Sequence, residues 1–362
     1  MSSHGADIDK LKRIYKINEK IIDFSSNINT RMPECVSRVI ASSIDEINRY
    51  PDIEYISLRK VISNSINKRY KTSFSYRNIC VGNGATELIF LISKINKFKK
   101  IGVVCPTFSE YQRAVESLGK DLFKYHMIVG KNTLEINQDD DYDDLDLIFI
   151  CNPNNPDGRL RNLERVVEKC KSSGVVLVVD ETFIEFCEEE LCRSAIRYDY
   201  DNIVVLRAAT KFYGIPGIRL GYAISKNESI IENMWSIKEP WSVNTFAEKL
   251  GLEIFEDDKF YSDSKSFFRD ERISFINNLK QIQGIDVFET DSAFVLIRIN
   301  SVKDNFKSGN LKEKMMLDFG IVIRDASDFD GLDDRYFRVA IKTKSDNEYF
   351  VDSLKKILGE VF

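Results

Sequence analysis

The chain has 362 residues, 43% apolar and 30% charged, which excludes a disordered or fibrous protein and leaves room for one large domain and a smaller one. Its 52 Lys and Arg against 57 Asp and Glu give a formal net charge of −5, which offers nucleic acid no basic footprint, and seven cysteines without a CxxC pair beside two histidines argue against zinc or a disulfide framework. The opening MSSHGADIDK has no apolar run suited to a signal sequence and the longest apolar runs are strand-sized, so a reduced, cytoplasmic protein without membrane contact is expected.

In chain order, residues 1–45 lack a strand–helix rhythm and are expected to form an arm and part of a smaller domain. From 46 to 245 strand-like and helix-like segments alternate: strands at 79–81, 101–104, 147–151, 175–179, 203–206 and 222–224, helices at 86–95, 109–118 and 163–171. The strands are near-continuous apolar runs, as required when helices cover both faces of a sheet, so an α/β domain with a mostly parallel sheet is expected. The acidic run at 139–146 reads as a solvated loop. From 246 to 362 a polar helical region leads to strands at 294–299, 321–324 and 336–340 with helices between and after them, the pattern of a smaller α+β domain.

In open α/β sheets ligands bind beyond the carboxyl ends of the strands, and five such positions here carry chemistry. GNGATE at 82–87 places Gly84, Ala85 and Thr86 where a helix opens, which suits either a plain capped turn or a phosphate on free N–H groups. CPTFSEY at 105–111 puts Phe108 on a loop, as a core residue or as a cover for a flat ring. NPNNPDG at 152–158 is a doubled Asn-Pro turn, and two in succession after a buried strand point to binding rather than turning alone. Asp180 follows five apolar residues, so its carboxylate needs a cation, and a protonated heterocyclic nitrogen would serve. Lys211 in RAATKFYGIPGIRLGY could be a solvated lysine or an imine-forming amine, with Arg219 eight residues on able to hold a phosphate.

Together the five positions converge on a flat, phosphorylated, basic heterocycle with an aldehyde, which is pyridoxal 5'-phosphate. On these motifs the chain resembles the fold type I pyridoxal-phosphate enzymes of the aspartate aminotransferase superfamily over nearly its whole length. The resemblance implies a large domain with a mostly parallel seven-stranded sheet. It further implies that Lys211 bonds the cofactor aldehyde, Asp180 pairs with the pyridine nitrogen, Phe108 stacks on the ring and Asn155 donates to the ring 3'-oxygen. Gly84, Ala85, Thr86, Thr210 and Arg219 would surround the cofactor phosphate. Tyr50, in RYPD, matches a tyrosine that reaches the neighbouring subunit's cofactor, which implies a homodimer with shared sites. Two positions depart from the family pattern: Ala208 stands where a Ser or Thr is usual, and Phe183 where transaminases often carry Tyr.

Within the superfamily the chain is similar to the branch of histidinol-phosphate aminotransferase and threonine-phosphate decarboxylase. HGADI, DFSSNIN, PTFSEY, TKFYGIPGIRLGY and Phe183 lean to the decarboxylase. The expectation is therefore a lyase that decarboxylates a small phosphorylated amino acid, O-phospho-L-threonine or O-phospho-L-serine, with a link to cobalamin biosynthesis. A histidinol-phosphate type aminotransferase is the alternative. By the same resemblance Arg324 and Arg338 would clasp the substrate anion, and His4 and Asn29 would complete the substrate site.

Overall fold

The computed structural model describes residues 8–15, 21–300 and 306–361. Seven strands form one sheet in the order Ile79–Asn83, Leu220–Ser225, Ile203–Ala208, Val176–Asp180, Leu147–Cys151, Lys100–Cys105, Asp121–His126. Only Leu220–Ser225 runs antiparallel to its neighbours. The runs LIFIC, VLVVD and IVVLRA are buried at every position, because helices such as Gly84–Lys94 and Glu164–Ser173 cover the sheet. Helix Glu164–Ser173 stops at Gly174, whose left-handed backbone (φ 74°) lets its N–H close onto Cys170 and aims the chain into the next strand.

The seventh strand, Asp121–His126, lies outside the expected set. Its sequence DLFKYH has no apolar run because it forms the sheet edge, with one neighbour and much of its surface in water. The acidic run at 139–146, expected as a solvated loop, is anchored to the fold at some of its residues. Tyr142 and Leu145 are buried, Tyr142 meets Tyr125 edge-on, and Asp146 accepts from the backbone N–H groups of Lys99 and Lys100 at 2.6 and 2.9 Å.

Four further strands build an antiparallel sheet in the order Ile285–Val287, Phe294–Ile299, Tyr336–Ala340, Arg324–Asp325, and Ile128–Val129 pairs separately with Leu134–Glu135. Ile22–Asp23 runs parallel to Ile321–Val322, and the Phe24 carbonyl accepts from Ala340 N–H at 2.8 Å, so the amino-terminal segment joins this smaller α+β unit. The 22-residue helix Asp258–Leu279 packs Phe268 against Phe186 and Phe275 against Phe350, tying the smaller unit to the large sheet's helical layer. No described helix is long and apolar enough to cross a membrane.

Strand direction decides where function can lie. Six strands point their carboxyl ends the same way, and the antiparallel strand begins at that edge, since Leu220 pairs with Asn83 and Gly221 with Ala208. The five strand-end positions read for chemistry above all lie at those ends, and Arg219 immediately precedes the antiparallel strand.

Candidate active site

A cavity of about 500 Å³ lies along that edge, walled on its far side by Arg324, Phe329 and Arg338 of the smaller unit. At one end helix Gly84–Lys94 begins. Gly84 has φ 75°, and a Cβ on it would come within 2.6 Å of an Arg219 guanidinium nitrogen; a Cβ on Gly221 would come equally close to the Ala85 amide nitrogen. These two glycines let the helix start, the strand and Arg219 converge. Ala85, Thr86, Thr210 and Arg219 line the cavity there, and the unpaired N–H groups of a helix's first turn favour an anion.

Asp180 ends its strand in the cavity floor. Its carboxylate accepts from Tyr111 Oη at 2.7 Å, from Thr182 N at 2.9 Å and from the Thr182 hydroxyl. Burial raises its pKa, and those donors oppose the rise. Tyr111 is held by stacking on Phe149, with ring centroids 5.2 Å apart, and meets Phe108 edge-on.

Lys211 sits in the short helix Ala209–Phe212 directly after strand Ile203–Ala208 and is half-buried on the cavity wall. Burial first, then the positive charges of Arg338 and Arg219, pull its pKa down to about 8, while Asp180 opposes them. A substantial neutral fraction near physiological pH follows, and the neutral amine is the nucleophile.

Arg338 reaches the cavity from strand Tyr336–Ala340. Its Nη2 donates to the Ser25 carbonyl at 2.7 Å and its Nη1 to Asn155 Oδ1. Burial first and Arg324 second disfavour its charge, as for a buried cation short of a counter-ion. Arg324 is paired: its Nη2 lies 2.7 and 2.9 Å from the two Asp328 carboxylate oxygens. Phe183 meets Phe294 edge-on at 4.9 Å and brings no hydrogen-bond donor to the cavity.

The residues expected from sequence divide into four groups. Ala85, Thr86, Phe108, Asn155 and Asp180 line one cavity with Thr210, Lys211, Arg219, Arg324 and Arg338. Gly84 lies beneath Arg219 as a spacer. Asn29 is outside the lining: its amide donates to the Phe212 carbonyl at 2.8 Å and to Ser264 Oγ at 3.1 Å, and its oxygen accepts from Arg31 N–H. Tyr50 also lies outside, largely exposed and stacked on Trp241. His4 falls outside the described residues. Ala208 closes its strand, buried and away from the lining.

Tyr111, Thr182 and Asp328 were not singled out as site residues. Tyr111 stands three residues after Phe108, one helical turn away, and that spacing was the available signal.

The donor set fits a phosphorylated pyridine aldehyde: a cation with a helix start, a buried carboxylate, a ring and a depressed lysine. Asn27, Thr107 and Arg338 also line the cavity, and each has a buried polar atom (Oδ1, Oγ1 and Nε) with no partner among the described residues, as a site built for a polar ligand would show.

The family model described as aminotransferase class I and II matches residues 19–354. The chain belongs to that family. Its members are pyridoxal phosphate-dependent enzymes. The chain is 31% identical to threonine-phosphate decarboxylase of Salmonella typhimurium, over 99% of this chain and 97% of that protein. Among solved structures it resembles histidinol-phosphate aminotransferase from Clostridium acetobutylicum, with TM-score 0.84, 32% identity and coverage of 93% and 99%. It also resembles L-threonine-O-3-phosphate decarboxylase from Porphyromonas gingivalis, with TM-score 0.80, 25% identity and the same coverage.

Proposed function

We propose that this protein decarboxylates an O-phospho-L-amino acid, O-phospho-L-threonine or O-phospho-L-serine, releasing carbon dioxide and a phosphorylated amino alcohol. The observation that carries the reading is a single cavity in which a lysine of depressed pKa faces two buried guanidiniums. A substrate with an amine at one end and two anionic groups matches that charge layout, and the likeness to the Salmonella decarboxylase supports the reaction type.

Bound pyridoxal phosphate supplies the electron sink for the bond broken at the substrate's α-carbon. The protein's part is geometry and proton control. Ala85, Thr86, Thr210 and Arg219 would hold the cofactor's phosphate, and Asp180, which accepts from Tyr111 and Thr182, would pair with its ring nitrogen. Arg338 and Arg324 would bind the substrate's anionic groups and, by fixing its orientation, decide which bond at the α-carbon is presented for cleavage. Phe183, backed by Phe294, gives the cavity an apolar wall that would limit water. Lys211 Nζ would bond the cofactor's aldehyde and, with its lowered pKa, could carry a proton to the substrate's α-carbon. Tyr50 serves the neighbouring subunit's site in a homodimer.

The test is to incubate the holoenzyme with O-phosphothreonine, O-phosphoserine and histidinol phosphate, with and without 2-oxoglutarate. Carbon dioxide released from a phospho-amino acid without any acceptor is the expected result. The likeness to the Clostridium aminotransferase supports a second reading, transamination of histidinol phosphate. Accumulation of the amine form of the cofactor and a requirement for 2-oxoglutarate would establish that reading instead.

A further inference from the structure

After strand Arg324–Asp325 the chain turns tightly, with Phe329 N–H on the Ala326 carbonyl and Leu332 N–H on the Phe329 carbonyl. The turn carries Asp328 back over Arg324, so one guanidinium nitrogen meets both carboxylate oxygens at 2.7 and 2.9 Å, while Nη1 is held by the Asp325 carbonyl. Both residues line the active cavity. Arg338, across from this pair, has only neutral acceptors in Ser25 and Asn155. The two arginines are therefore electrostatically unlike: one carries its own anion and one does not.

We propose that Asp328 is a specificity-determining residue, an internal carboxylate that holds the substrate anion's place on Arg324 and yields it only to a doubly charged group. The proposal rests on the phospho-amino-acid reading and says how the site selects phosphate over carboxylate. A carboxylate tethered four residues from its arginine has a high local concentration, so a free monocarboxylate of equal strength cannot displace it. A phosphate dianion offers twice the charge and three acceptor oxygens to the same fork.

The displacement is a side-chain movement. The Asp328 side chain is 37% exposed against 9% for Arg324, so the carboxylate has solvent to turn into. The turn itself is pinned two residues later, where Asp330 is held by Lys124 at 2.8 Å and His126 at 3.1 Å on the edge strand.

The experiment uses holoenzyme fixed with borohydride, which blocks turnover and keeps the cofactor's phosphate cup filled. Binding of inorganic phosphate and of acetate is measured by calorimetry for the wild type, Asp328→Asn, Asp328→Ser, and the double variant Arg324→Met with Asp328→Asn. The wild type is expected to favour phosphate, and both single variants to tighten both anions, acetate by about tenfold or more, narrowing the selectivity. The double variant is expected to lose that gain. Unchanged selectivity, or weaker binding in both well-folded single variants, would overturn the proposal. Carbon dioxide assays separate the two readings. Tightened acetate binding in an enzyme that releases none removes the reaction assignment and leaves this one. Normal release with unaltered selectivity does the reverse.

Discussion

Lys211 shows how a common side chain becomes a reagent through its surroundings. Its ordinary pKa of 10.5 falls to about 8 because burial and two guanidiniums disfavour the ammonium form. Reaction of the apoprotein with pyridoxal phosphate should therefore rise with pH around a midpoint near 8. Arg338→Met removes a like charge, which favours protonation, so the midpoint should move upward; a midpoint that stays put or falls would show that Arg338 does not act on Lys211. The same shift links to stability. Between pH 10.5 and about 8 the unfolded lysine takes up a proton that the folded one does not, so the apoprotein should lose stability as pH falls through that window. Asp180 depends on Tyr111 in a parallel way. Tyr111→Phe removes a hydrogen bond to a charged group, commonly worth about 1.5 to 3 kcal/mol, and should lower kcat by about tenfold or more. The cofactor's absorption should shift as its ring nitrogen loses the proton; an unaltered spectrum and rate would leave Tyr111 a packing residue only.

Adjacent strands use their alternation to separate chemistry from support. Asp180 meets the cavity, while Glu181 next along the chain lies on the other side, where Arg207 from the neighbouring strand donates to it at 2.8 and 3.1 Å. Arg207 also donates to Tyr70 Oη at 2.6 Å and Ser194 Oγ at 3.1 Å, and all four side chains are buried. Replacing Arg207 by Met leaves Glu181 without its counter-charge in the interior. That should cost about 3 to 5 kcal/mol, read as a lowered urea midpoint. A midpoint within about 0.5 kcal/mol of wild type would mean that the network is dispensable. Six of the seven large-sheet strands were legible because the five interior strands, and the mostly buried edge strand Ile79–Asn83, carry apolar runs. The segment expected as one strand at 321–324 is two in the structure. Ile321–Val322 pairs with Ile22–Asp23, whereas Arg324–Asp325 pairs with the strand bearing Arg338. Local sequence carries no record of which distant strand each half will meet.

At the scale of the whole molecule, one short stretch holds four large apolar side chains in water. Ile44, Ile47, Tyr50 and Ile53 are at least half exposed, and Tyr50 stacks on Trp241 at 4.4 Å between ring centroids. A second copy of the chain is the proposed cover. Sedimentation should show a dimer, and Ile47→Asp should shift it toward monomer. Mixed dimers of Tyr50→Phe and Lys211→Ala chains should differ in activity from the sum of their parents, because one site in each then combines or escapes both lesions. Strict additivity would count against shared sites.

The sequence by itself determined the fold class and most of the cavity's chemistry, because each interior strand announces itself and the reactive residues sit within a few positions of a strand end. Asp180, Lys211 and Arg219 could be named from that local grammar. Tertiary structure decided what those groups experience. Arg338 meets Asn155 across 183 residues and Ser25 across 313, and such distances leave no periodic trace in the chain. Asn29 was named for the substrate site by resemblance alone, and only the fold shows that its amide bonds the Phe212 carbonyl and Ser264 Oγ. Arg324 and Arg338 read alike as two strand cations; only folding gave one of them a carboxylate partner and left the other with neutral ones. Burial and pairing set pKa and affinity, and both are properties of segments brought together by packing rather than of the segments themselves.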